Sequence, residues 1–91
     1  MPDVVFAILG ALVRCNGWAS VAMIVEVSGY SRQTFEAARP GLMRRSWTGR
    51  SGGELYITER GKLALAIETG RRTKRRGQRT RYSLKEFQRA A

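Results

Sequence analysis

The sequence contains no histidine and a single cysteine, Cys15. Together these remove a thiolate–imidazole metal site, a Cys–His catalytic dyad and an intramolecular disulfide, and a reducing cytoplasm is the expected compartment. Acidic side chains are also scarce, seven against seventeen Lys and Arg. No carboxylate pair stands at a spacing suited to acid–base work. There is no Gly-rich GxxxxGK[ST] phosphate loop, and Cys15 lies in an apolar stretch without a base beside it, so catalysis is not expected and no metal or other cofactor is called for. The apolar run from Val4 to Val13 falls short of the roughly 20 residues a spanning helix needs. It has no basic lead and no small-residue cleavage pattern, so it reads as a core helix rather than a secretory signal, and no membrane partner is expected.

What is present is positive charge, unevenly spread. Residues 1 to 69 hold eight Lys or Arg and six Asp or Glu, a balance of +2, whereas residues 70 to 91 hold nine against one, a balance of +8. Within the run from Gly70 to Arg81 stand Arg71, Arg72, Lys74, Arg75, Arg76, Arg79 and Arg81, with no acid among them. Such a block repels itself and offers no apolar area to a core. The expectation is a flexible basic arm over residues 70–82 that meets a polyanion, a solubilising tail being the alternative. At 91 residues there is room for one domain, and burial at this size is marginal enough for a dimer or ligand to matter.

Hydrophobic spacing and cap residues divide residues 1–69 into elements. A first helix is expected from Asp3, whose carboxylate can cap early amides, to about Arg14, with Val5, Ile8, Leu9 and Leu12 inward and Cys15-Asn16-Gly17 as its stop. Ser20 opens a second helix carrying Val21, Ile24, Val25 and Val27. Ser28-Gly29-Tyr30 makes a turn, and Ser31 caps a third helix that points Phe35, Ala38, Leu42 and Met43 inward. Pro40-Gly41 predicts a kink or an early end near Arg39, because proline deletes a hydrogen bond and clashes with the preceding turn. Ser46-Trp47-Thr48 and Glu54-Leu55-Tyr56-Ile57 have β character. The five residues between them, Gly49 to Gly53, predict a hairpin with a mobile tip. Thr58 then caps a helix through about Glu68 with Leu63, Ala64 and Ile67 inward, ended by Gly70. Ser83-Leu84-Lys85-Glu86 matches a capping box, so residues 83–91 are expected to hold a short terminal helix.

This mainly α arrangement with a small β-hairpin resembles a winged helix-turn-helix domain followed by a basic C-terminal arm. Ile24-Val25-Glu26-Val27-Ser28-Gly29-Tyr30-Ser31 is similar to the turn between supporting and recognition helices. Leu55-Tyr56-Ile57-Thr58-Glu59-Arg60-Gly61 looks like the strand-to-helix junction after the wing in regulators of the multiple-antibiotic-resistance and PadR types. Three departures stand out. Val25 occupies a place where alanine is usual, Arg39 one where an apolar residue is common, and Pro40-Gly41 is unusual in a recognition helix.

The resemblance implies DNA binding, and it places Arg32, Gln33 and Thr34 at the end of the recognition helix that reaches base edges. There Arg suits guanine, Gln suits adenine and the Thr methyl meets thymine. Glu36 either accepts from cytosine or pairs with Arg32 one turn away, the pairing being the plainer expectation. Arg50 is expected at the hairpin tip against phosphate or the minor groove, and Arg44 and Arg45 near the backbone; each is equally an ordinary solvated charge. Trp18, Trp47, Phe6 and Tyr56 are expected in the core rather than as a stacking platform. Double-stranded DNA is thus the leading partner, for a transcriptional regulator whose economy suits a phage or mobile element. RNA remains open, since arginine-rich segments also fold on RNA, as does an adaptor docking on an acidic protein. Leu84 and Phe87 with Val4, Val5 and Ile8 are expected either to form a homodimer seam or to cover the chain's own core.

Overall fold

The computed structural model describes residues 1–73, which form four helices and a three-stranded antiparallel sheet. In chain order these are α1 (Asp3–Arg14), β1 (Trp18–Ser20), α2 (Val21–Ser28), α3 (Arg32–Arg44), β2 (Thr48–Ser51) and β3 (Glu54–Ile57). A fourth helix, α4, runs from residue 59 to residue 73. The expected terminal helix over 83–91, with Leu84 and Phe87, lies outside the described residues.

Local chemistry accounts for most boundaries. Asn16 at φ 64° and Ser46 at φ 59° each take the left-handed position after a helix. The amides of Gly17 and Trp47 then return to the carbonyls of Leu12 and Leu42, which closes α1 and α3 with the six-to-one bond of a Schellman turn. Ser20 and Ser31 cap α2 and α3, accepting from the amides of Met23 and Thr34 at 3.3 and 3.2 Å. Asp3 does not cap. Pro2 holds the cap position without a side-chain bond, and the Asp3 carboxylate turns instead to Arg72 at 3.0 Å.

Contrary to the expected break, α3 passes unbroken through Pro40. Gln33, Ala37, Pro40 and Arg44 recur at helical spacing and all are exposed. The ring therefore stands on the solvent side, where the Glu36 carbonyl that loses its donor is open to water.

The sheet has the order β1-β3-β2, with Trp18 and Gly49 flanking Tyr56 in one row and Ala19 and Arg50 flanking Leu55 in the next. β1 was not foreseen, and the hairpin differs from its expected form. Gly52 and Gly53, at φ 55° and 85°, make a two-residue turn of the primed kind that suits strand twist, so Gly49, Arg50 and Ser51 are strand rather than tip. Tyr56 lies across Gly49, where any Cβ would collide with its ring.

The core gathers Val5, Ile8, Leu9 and Leu12 of α1, Ile24 of α2, Phe35 and Leu42 of α3, and Leu55 and Ile57 of β3. Val5 and Ile8 are thus spent inside and cannot form a dimer seam. Met43 is exposed rather than inward. α4 is rotated from expectation. Gly61 is buried and Leu65 half-buried against the fold, while Leu63 and Ile67 face water. The rotation is set at the helix start: the Thr58 hydroxyl donates to the Ser46 carbonyl and accepts from the Gly61 amide, and the Thr58 amide donates to the Trp47 carbonyl. This junction leaves no room for a Cβ at Gly61, which would strike the Trp47 carbonyl. Nor does Gly70 end the helix, which continues through residue 73.

Candidate nucleic-acid interface

α2 and α3 meet through Gly29, whose φ of 80° lets the chain reverse, and Tyr30 is held by its amide on the Ser28 hydroxyl at 3.3 Å. The turn brings the capped start of α3 to the surface. Arg32 and Gln33 are exposed there. Thr34 is half-buried, and its hydroxyl shares a 2.9 Å hydrogen bond with Ser31, so the methyl is what it has left to offer a ligand.

At the other end of α3, Arg44 and Arg45 are both exposed. The Arg45 guanidinium lies 5.1 Å from the centroid of the Trp47 ring, a cation–π contact that steadies it without neutralising it. Arg50 is exposed on β2 two residues before the glycine turn. By alternation it shares the sheet face of Thr48, whose hydroxyl contacts Met43 of α3 at 3.6 Å. Arg50 therefore lies on the α3 side of the sheet.

Ion pairing sharpens the distribution of charge. Glu36 is the only acid between Arg32 and Arg50, and it pairs with Arg39 at 3.5 Å rather than with Arg32. Arg32, Arg44, Arg45 and Arg50 make no ion pair among the described residues, nor do the isolated Arg14 and Arg60, whereas Lys62, Arg71 and Arg72 do. The α3–β2 segment thus presents four unneutralised cations on a short length of chain. Between its ends, the outward strip of α3 holds Ala37 and Pro40, which are small enough for a flat ligand to approach the helix closely. Sequence reasoning passed over Ala37, although its spacing from Gln33 and Arg44 was there to be read.

The basic run divides. Arg71 and Arg72 belong to α4, and Arg72 is committed to the fold: its guanidinium reaches Asp3 at 3.0 Å and Glu68 at 3.1 Å, donates to the Met1 carbonyl at 3.2 Å and covers the Phe6 ring. The hydrogen bond to Asp3, above all, raises its pKa beyond the ordinary arginine value. It clamps the end of α4 onto the start of α1. Lys74, Arg75, Arg76, Arg79 and Arg81 lie outside the described residues.

Two of the aromatics expected in the core are on the surface. Trp18 is 59% exposed and Tyr56 42%, opposite one another on the outer face of β1 and β3. With Ser51, Glu54 and Leu55 they line an open depression of about 280 Å³. The alternation Glu54, Leu55, Tyr56, Ile57 carried that signal, since Leu55 and Ile57 claim the inner face. Trp47 and Phe6 are half-buried.

No described helix is long and apolar enough to cross a membrane. No protein-family model matches the chain, and no curated protein matches it.

Proposed function

We propose that this chain is a winged helix-turn-helix protein that binds double-stranded DNA and regulates transcription. The observation that carries the proposal is the set of four cations, Arg32, Arg44, Arg45 and Arg50, left without acidic partners along α3 and β2. α3 acts as the recognition helix, with Arg32 and Gln33 on base edges, the methyls of Thr34 and Ala37 toward thymine, and Arg44 and Arg45 on phosphate. The β2–β3 hairpin acts as the wing, laying Arg50 along the backbone. Lys74, Arg75, Arg76, Arg79 and Arg81 add sequence-independent attraction. No metal or cofactor enters this scheme, and no bond is made or broken.

Selection of the full chain against a randomised duplex pool, with a structured RNA of equal length as competitor, tests the proposal. Enrichment of a duplex motif that RNA fails to displace is the expected result. Preference for the RNA would move the protein to an RNA-binding role, and binding to neither would favour an adaptor for an acidic protein.

A further inference from the structure

Trp18 and Tyr56 stand opposite one another on the outer face of the sheet, and the next row on that face is Ser20, Glu54 and Ser51. The Tyr56 ring leans over Gly49, away from β1, so a gap remains between the two aromatics. Glu54 borders that gap, in the depression of about 280 Å³ that Trp18, Ser51, Leu55 and Tyr56 also line. Among the described residues, the acids Asp3, Glu36, Glu59 and Glu68 have ion-pair partners, whereas Glu26 and Glu54 have none. Of these two, Glu54 lines the depression. Arg50 is close along the chain, but by alternation it lies on the other face of β2. A chain of net charge +10 thus holds a half-buried, unneutralised carboxylate beside two exposed aromatic rings.

We propose that this depression binds a guanidinium group, and that the group comes from the chain's own basic run, through Arg79 or Arg81. Ring faces attract a cation, and a carboxylate accepts the paired N–H groups of an arginine. The same carboxylate repels phosphate, which sets this site apart from the cationic α3 surface. A flat, open depression suits a planar guanidinium better than a lysine ammonium, which has no face to stack. The tether is long enough. Arg72 is held at Asp3, where α1 begins, and Trp18 lies just past the end of α1 at Arg14. α1 spans about 18 Å and the residues from its end to Trp18 add at most about 14 Å, so the depression lies within about 32 Å of Arg72. The chain from Arg72 to Arg81 can cover about 30 Å, and the arginine side chain extends that reach. A group tethered in this way acts at an effective concentration of about a millimolar, enough to populate a weak site. The contact needs no nucleic acid and does not depend on what the α3 surface binds.

Nuclear magnetic resonance of the full chain, without nucleic acid, provides the test, with the Trp18 indole signal identified by its loss in Trp18→Phe. Arg79→Gln with Arg81→Gln should displace that signal equally at low and high protein concentration, and added N-acetylarginine amide should reverse the displacement. In a Glu54→Gln background the same arginine substitutions should leave the signal in place. A Trp18 signal that ignores the arginine substitutions overturns the inference. If added N-acetylarginine amide or a single-stranded oligonucleotide then moves the signal in the wild-type chain, the site belongs to another protein's arginine or to a stacked base. A displacement that grows with protein concentration overturns the inference in favour of a second copy, and one that survives Glu54→Gln overturns it by removing the carboxylate from the site.

Discussion

The Arg72 guanidinium lies 4.1 Å from the centroid of the Phe6 ring and joins the last described turn of α4 to the first turn of α1. Neighbouring Arg71 looks the same in sequence, yet it is exposed and pairs only with Glu68 at the long distance of 3.8 Å. Arg72→Ala should therefore lower the melting temperature, and Arg71→Ala should leave it close to wild type. Equal effects of the two substitutions would remove the clamp.

Gly61→Ala pits two effects against each other. Helix propensity favours alanine by about 1 kcal/mol, but the new Cβ would meet the Trp47 carbonyl and, at 2.8 Å, the Ile57 side chain. The carbonyl belongs to the junction held by Thr58 and cannot withdraw freely. Overpacking against it should win and cost about 1 to 3 kcal/mol net, read from denaturant midpoints. A stabilised variant would show that the junction yields.

Ser46 poses the opposite case. It sits at φ 59° with its side chain exposed, a conformation that costs a residue bearing a Cβ about 1 kcal/mol or more relative to glycine. Ser46→Gly should raise stability by about 1 kcal/mol without touching the α3 surface. Pro40→Ala belongs with it: the substitution restores a donor in an exposed helix interior, so the melting temperature should rise while DNA binding is retained. Loss of binding with a higher melting temperature would mean that the proline shapes α3 for its ligand.

These junctions explain which parts of the fold were legible in the sequence. Ser20, Gly29 and Ser31 act within four residues of themselves, so both ends of α2 and the start of α3 could be read directly. The facing of α4 could not. Leu63 and Ile67 are strongly apolar, but the direction they point is fixed by Thr58 reaching the Ser46 carbonyl, a contact between segments that sequence spacing does not reveal. β1 is three residues long and becomes a strand only because Leu55 and its neighbours pair with it, and no alternation can register over that length. Arg72 was indistinguishable from the rest of its basic run for the same reason. Its partners Asp3 and Phe6 lie at the far end of the described chain. On the candidate surface, Arg32 and Gln33 follow directly from the Ser31 cap, whereas Arg44 sits in a helix expected to kink or end near Arg39 and Arg50 moved from tip to strand with the shorter turn.

Reading and gripping should separate on the proposed interface. Arg32→Ala or Gln33→Ala should cost about 1 to 3 kcal/mol on a selected duplex and little on random duplex. Arg50→Ala should weaken both alike. Equal losses on the two duplexes for all three substitutions would turn α3 into a phosphate contact.

The central claim is that unpaired cations on α3 and β2 engage a duplex backbone, and the salt dependence of duplex affinity tests it most directly. Replacing Arg44, Arg45 and Arg50 by Gln in the full chain should flatten the plot of log affinity against log salt by about 0.9 for each phosphate that the protein ceases to neutralise, up to about 2.7. Replacing Lys74, Arg75, Arg76, Arg79 and Arg81 by Gln in a separate variant measures the contribution of the basic run on the same scale. A slope reduced in the first variant is the predicted result; a slope identical to wild type, with the protein still folded, would contradict a DNA-binding role for this face.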